Sequence, residues 1–171
     1  MTEKEFNTSI LPLAKHIYSF ALNLTGNPAD ASDITQDVMY KLWDDRKQLK
    51  KVNNPKAWAL KMTRNLYLDN RKKHKPVYDE KEMLRQEYLS SDPQRMLENK
   101  DTAETVRRIV EQLPPTQREV VKLRELEGLE YTEIAHITGL GLNNIRVLLS
   151  RARTKIKEIL VKTYQFSPYE E

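Results

Sequence analysis

Residues 131–150 read YTEIAHITGLGLNNIRVLLS, and this stretch decides the fold class. Ile134 and Ala135 give a first short helix an apolar anchor and a small residue, so that a second helix can pack close. Gly139 follows four residues after Ala135. There a turn residue with positive φ is wanted, and glycine takes that backbone without a Cβ clash. Leu140, Ile145 and Leu148 then return at spacings that suit burial. Each signal is weak alone; together they predict a helix-turn-helix.

The second helix of the pair carries two faces. Ile145, Leu149, Ala152, Ile156 and Ile159 form an apolar stripe that suits packing on preceding helices. Asn143, Arg146, Ser150, Arg153 and Lys157 line up on another face, and no acidic residue occurs from Leu142 to Lys157. A cationic helix face with short polar side chains suits the phosphate-lined major groove and its base edges. The blander reading is a solvated basic surface, with Asn143 or Asn144 merely capping the helix.

Working outward, Val106, Ile109, Val110 and Leu113 predict a short helix that breaks at Pro114-Pro115. Thr116 and Glu119 then read as a capping box for the next helix. Residues 75–100 hold two prolines, weak periodicity and many acidic groups, the marks of a linker. Before it lies a helical block from about Phe6 to His74, with Ile10, Leu13, Ala14, Ile17, Ala21 and Leu24 at helical spacing. Asn27 reads as an N-cap and Pro28 as the first residue of a second helix running to about Arg46. A polar loop over residues 47–55 precedes a third helix from about Lys56 to Lys73, and the tail after Lys162 reads as frayed. The expected fold is all-α: two small helical domains, 1–75 and 104–171, joined by a flexible linker over 76–103.

Composition narrows the class. Only 4 glycines in 171 residues, beside many Leu, Lys, Glu and Arg, favour helices over turn-rich β structure. With no cysteine, a disulfide framework or thiolate zinc site is excluded. His16, His74 and His136 lie far apart without carboxylates at ligand spacing, so no metal or cofactor is expected. The start MTEKEFNTSI lacks a signal peptide's basic and apolar run, and no stretch approaches a membrane span. A soluble, cytoplasmic protein is expected. The net charge of +4 is too mild to prove a nucleic-acid partner, so its distribution has to carry that argument.

In the N-terminal block, Asp33, Gln36, Asp37 and Tyr40 recur at helical spacing as an exposed polar stripe, with Ile34, Val38 and Leu42 opposite. Asp30, Asp33 and Asp37 near a helix start favour its dipole, which is one reading. An acidic stripe that repels DNA and docks a protein is the other. The third helix reverses the sign, with Lys61, Arg64, Arg71, Lys72, Lys73 and Lys75 among Trp58, Asn65, Tyr67 and Asp69. Basic groups mixed with aromatics and amides suit DNA whose bases are unstacked, although Trp58 equally suits a core. The loop Val52-Asn53-Asn54-Pro55-Lys56 is polar and cationic and suits a flipped base.

Taken together these stretches resemble a family. Asp33-Ile34-Thr35-Gln36-Asp37-Val38 with Lys41-Leu42-Trp43, then Ala57-Trp58, Arg64-Asn65, Asp69 and Arg71, resemble region two of bacterial sigma factors. Leu113 to Val120, Arg124 to Leu129, Tyr131 to Ala135 and Arg151-Ala152-Arg153 resemble region four. Their order and separation are similar to the extracytoplasmic-function (ECF) group. The resemblance implies a transcription initiation factor that is no enzyme and binds no small-molecule substrate. It implies that Asp33, Gln36, Asp37 and Tyr40 dock on the clamp helices of the largest subunit of core RNA polymerase. It further implies that Asn53, Asn54, Lys56, Arg64, Asn65, Asp69 and Arg71 recognise and melt the minus-ten promoter element. Asn143, Asn144, Arg146, Val147, Ser150 and Arg151 would face the minus-thirty-five element as duplex DNA. An anti-sigma partner, and a linker threading toward the polymerase active centre, also follow from it. The chain departs from the pattern at Val147 and Leu148, where many relatives carry Ser and Arg, and at Met39, where Phe is usual.

Two rivals differ from this reading. An ordinary transcriptional regulator would use the N-terminal block to sense a ligand or dimerise, yet that block has its own basic aromatic helix and no evident apolar seam. An enzyme acting on nucleic acid would need clustered carboxylates, a phosphate loop or a nucleophile with its base, and the sequence offers none.

Overall fold

Local capping chemistry sets the first long helix. In a computed structural model describing residues 1–73 and 102–164, Asn27 stands in extended backbone. Its Oδ1 accepts hydrogen bonds from the Ala29 N–H (2.8 Å) and the Asp30 N–H (3.2 Å). Pro28 takes the first helical position, where its missing N–H costs nothing. Helix α3 (Pro28–Asp44) thus begins where the sequence predicts. It is preceded by α1 (Glu3–Ser9) and α2 (Ala14–Thr25), and followed by α4 (Arg46–Leu49) and α5 (Pro55–Lys73). Pro12 interrupts the periodicity from Ile10 to Leu24, and Leu11–Leu13 forms a 3-10 turn. In this unit α2, α3 and α5 pack together, burying Ile10, Ile17, Ala21, Ile34, Val38, Leu42 and Ala59. Met39 and Trp58 lean on this core half-buried.

The second stretch holds α6 (Thr102–Glu111), α7 (Pro115–Val121), α8 (Tyr131–Thr138) and α9 (Leu142–Tyr164). The expected capping box does not form. Helix α7 starts at Pro115 with Pro114 as its N-cap, which puts Thr116 inside the first turn. The physical reason is again proline: Pro115 supplies the first helical φ at no hydrogen-bonding cost. After α7 the backbone widens into one π-type turn over Lys122–Leu126. Lys122 is buried there, with its ammonium against the Glu111 carboxylate. Helix α9 packs on α7 and α6, with Ile109, Val110, Leu113, Val120, Leu123, Ile145, Leu149 and Ala152 buried. The described residues are all-α, with no strand.

Two compact units emerge. One holds Met1–Lys75 with Leu129–Leu140, and the other holds the remaining described residues. Grouping α8 with the N-terminal unit is not foreseen by chain order. Its cause is direct: α8 lies on α5 through polar contacts described below. The expected linker over 76–103 falls almost wholly outside the described residues, as does the end of the tail. Among the described residues no helix is long and apolar enough to cross a membrane.

Candidate protein-docking and nucleic-acid surfaces

Helix α3 separates its faces as its spacing predicts. Asp33, Gln36, Asp37 and Tyr40 are exposed, Tyr40 by 70%, while Ile34, Val38 and Leu42 are buried. The same edge continues past the four predicted residues. Trp43 sits edge-on against Phe6 of α1, ring centres 5.0 Å apart, and the Arg46 guanidinium stacks 4.4 Å over the Trp43 ring. Arg46 also donates to the Trp43 carbonyl at 2.9 Å. An arginine three residues from a tryptophan on adjoining turns is a visible signal for that cation–π pair; the contact with Phe6 has none.

The second predicted surface lies on the loop before α5 and on α5 itself. Asn53, Asn65 and Asp69 are exposed, while Asn54, Lys56, Arg64 and Arg71 are half-buried. Several of these side chains already have work. The Asn54 Oδ1 accepts from the Ala57 N–H at 3.1 Å, so Asn54 caps α5. Arg71 donates to the Tyr67 hydroxyl at 3.3 Å and stands 5.8 Å from the Tyr67 ring centre. Trp58 takes the intermediate course between core and stacking platform: it touches the core and also borders an open cleft.

That cleft is closed on its other side by α8. The Asn54 Nδ2 donates to the Glu133 Oε1 at 2.6 Å, and the Lys61 ammonium donates to the His136 Nε2 at 2.7 Å. Glu133 is held in turn, its Oε2 accepting from the Glu130 N–H at 2.8 Å. The sequence does not foresee these contacts, and in it His136 is one of three histidines lying far apart. Asn54 and Glu133 stand 79 residues apart, and no local period records such a pair.

The third surface is α9. Helix α8 ends at Gly139 with φ +76°, the left-handed turn expected of it, and α9 begins at Leu142. Asn143 and Asn144 therefore lie inside the first turn and neither is the N-cap. Asn143, Asn144, Arg146, Val147, Ser150 and Arg151 are all exposed, above buried Ile145, Leu149 and Ala152. Leu140 and Leu148, expected to be buried, are half-buried, because Leu149 takes the inward position. The Asn143 Oδ1 accepts from the Arg146 Nη1 at 3.0 Å, tying two side chains of this face together. One carboxylate reaches the basic face from outside the helix: Glu125 of the π turn meets the Arg153 Nη2 at 2.6 Å. Among the described residues no three metal-ligating side chains cluster.

Known proteins align with both halves. The family model "Sigma-70 region 2" matches residues 10–77 and "Sigma-70, region 4" matches residues 103–156. The chain is similar to the ECF RNA polymerase sigma factor SigE of Mycolicibacterium smegmatis, 26% identical over 154 residues, covering 87% of this chain and 59% of that relative. It is similar to the ECF RNA polymerase sigma factor EcfG of Rhodopseudomonas palustris, 26% identical over 151 residues, covering 88% and 82%. Its fold resembles the sigma factor RpoE of Bartonella quintana, solved in complex with the anti-sigma factor NepR. There the TM-score is 0.66 at 23% identity, over 92% of this chain and 97% of that one. With region 2 and region 4 matched in order, the chain belongs to the sigma-70 family in its ECF group, and is a promoter-specific transcription initiation factor rather than an enzyme.

Proposed function

We propose that the three surfaces divide the work of initiation. Asp33, Gln36, Asp37 and Tyr40 of α3 dock on the clamp helices of the largest subunit of core RNA polymerase. Asn53, Asn54 and Lys56, with Arg64, Asn65, Asp69 and Arg71 of α5, recognise and melt the minus-ten element. Asn143, Asn144, Arg146, Val147, Ser150 and Arg151 of α9 face the minus-thirty-five element as intact duplex. On this reading the functional domains are residues 1–75 and 104–171, the chain works in the cytoplasm, and an anti-sigma factor holds it silent. The RpoE relative, captured with NepR, supports that last partner.

The observation that carries the reading is the sorting on α9. Six side chains proposed to meet DNA are exposed, while Ile145 and Leu149 between them are buried. A cationic face without its own carboxylates draws phosphates, and Asn and Arg at its start can pair with base edges. Val147 supplies only apolar contact, such as a thymine methyl accepts.

The test is capture of purified bacterial core RNA polymerase, followed by run-off transcription from a promoter library. Selective initiation at promoters sharing two elements is expected. Asp37→Lys should lose core binding while keeping its helical content, because an exposed position carries little packing. Undiminished core binding by that variant would remove the docking role from α3.

A further inference from the structure

We infer that the short α4 turn between α3 and α5 is a phosphate clamp, in which Lys47, Lys50 and Lys51 hold the duplex DNA bordering the minus-ten element. The inference rests on the functional reading above and adds residues that no part of it uses. Its first support is a change of sign along the chain. From Asp30 to Asp45 there are five carboxylates and one lysine. From Arg46 to Leu68 there are seven cations and no acidic residue. Three of those cations, Lys47, Lys50 and Lys51, lie outside the surfaces described so far, and all three are exposed.

The second support is how the turn is built. Leu49 is its buried residue, only 1% exposed, and it joins the core of the N-terminal unit. Three backbone hydrogen bonds close the chain around it. The Gln48 N–H donates to the Asp45 carbonyl (2.8 Å), the Lys51 N–H to the Gln48 carbonyl (2.9 Å) and the Val52 N–H to the Leu49 carbonyl (3.1 Å). With Leu49 turned inward, the three lysines are carried outward on a fixed frame. Arg46 stands apart from them, because its guanidinium lies on the Trp43 ring. One carboxylate comes near: Glu5 of α1 is held below the usual carboxylate range mainly by the Thr2 backbone N–H, and also by the charge of Lys50. That carboxylate is committed to the α1 capping box.

The third support is the kind of anion the turn suits. A protein that docks on Asp33 and Asp37 has to offer cations there, and it would repel a lysine cluster at the end of the same helix. Single-stranded DNA asks for rings on which bases stack. The lysine turn carries none, and the neighbouring Trp43 ring is taken by Arg46 and Phe6. Duplex DNA asks only for positive charge at fixed points, against one negative charge per ~1.7 Å of helix axis. Position agrees. Lys50 is four residues from Asn54, and four residues span at most about 14 Å, roughly four steps along one strand. A clamp there sets register and orientation, while the loop beyond it reads bases.

Two experiments on the full chain with core polymerase test the clamp. Lys47→Gln, Lys50→Gln and Lys51→Gln together should leave core capture unchanged and weaken promoter binding by the same factor whatever the minus-ten sequence. Losing three duplex phosphate contacts should flatten the slope of log affinity against log salt by about 2.7. Wild type would then lose roughly 40-fold more affinity than the variant between about 50 and 200 mM salt. The chain contains no cysteine, so Lys50→Cys can carry an iron–EDTA cleavage reagent at a single site. Its cuts are expected in both strands of the duplex bordering the minus-ten element. An unchanged salt slope overturns the clamp and leaves the lysines a solvated surface. Cuts in one strand only place the turn on melted DNA and overturn the duplex assignment. Cuts in polymerase subunits, with core capture lost in the triple variant, make it a protein contact instead. Failure of the underlying reading looks different. If Asn65→Ala with Arg71→Ala initiates normally while the lysine variant keeps its shallow slope and the cuts stay in place, the minus-ten base contacts fall and the clamp stands.

Discussion

Helices α5 and α9 are both basic, yet the structure treats their cations differently. On α9 the side chains proposed to face DNA stand exposed over a buried stripe, and the Asn143–Arg146 bond keeps two of them in register within the face. On α5 and its loop three polar side chains are engaged: Asn54 caps the helix and holds Glu133, Lys61 holds His136, and Arg71 leans on Tyr67. The difference follows the substrate each is proposed to meet. Duplex DNA presents a regular groove, so its reader can be preformed. Unstacked DNA has no fixed groove, so a surface proposed for it needs aromatics, cations and amides rather than a preset register.

The sharpest way to break this comparison is to damage the support of α9 rather than its face. Ile145 is fully buried. Ile145→Ala should cost about 2–5 kcal/mol of stability, read as a lower urea midpoint. Its neighbour Arg146 is exposed and should behave oppositely. Arg146→Ala should leave the midpoint within about 0.5 kcal/mol and cost about 1–3 kcal/mol on a cognate minus-thirty-five duplex. A loss of the same size on every sequence would make Arg146 a phosphate contact. If Arg146→Ala lowered stability as much as Ile145→Ala, the two faces would not be separate.

Asn54 tests the α5 side of the comparison, where structure and function share one residue. Losing an N-cap costs typically ~1 kcal/mol, so Asn54→Ala should lower the urea midpoint by that order. Asn54→Asp keeps the capping oxygen but sets a second carboxylate against Glu133. It should cap as well as wild type while loosening α8, which hydrogen exchange of the α8 amides reads directly. Equal protection of α8 in the two chains would show that the amide contributes nothing to the contact.

What the sequence made legible is what is set within a turn or two of chain. The start of α3 at Asn27-Pro28, the left-handed Gly139 and the sorting of α3 and α9 into faces all rest on neighbours three or four residues apart. Where prediction failed, a stronger local rule had been passed over. Pro115 overrode the Thr116–Glu119 capping box, and Pro12 split one expected helix. The contacts Asn54–Glu133, Lys61–His136 and Glu125–Arg153 lay beyond reach, because they join residues 28 to 79 positions apart with no period in common. The candidate residues were thus legible as a set of side chains, and their present engagements were not.

The smallest expected effect falls where α9 most resembles α5. Arg153 lies on the basic side of α9, but its guanidinium meets Glu125 at 2.6 Å with both side chains about half exposed. An exposed ion pair of this kind contributes about 0.2–1 kcal/mol, so a double-mutant cycle with Arg153→Ala and Glu125→Ala should return a coupling in that range. The instructive reading is the salt dependence of duplex binding rather than stability. If Arg153 reaches a phosphate, Arg153→Ala should lower the salt slope by about one. Glu125→Ala should instead strengthen binding slightly, because a carboxylate beside the phosphates repels them and competes for the guanidinium. If neither slope nor affinity moves, the pair serves only to fasten the π turn to α9, and the reading face ends at Arg151.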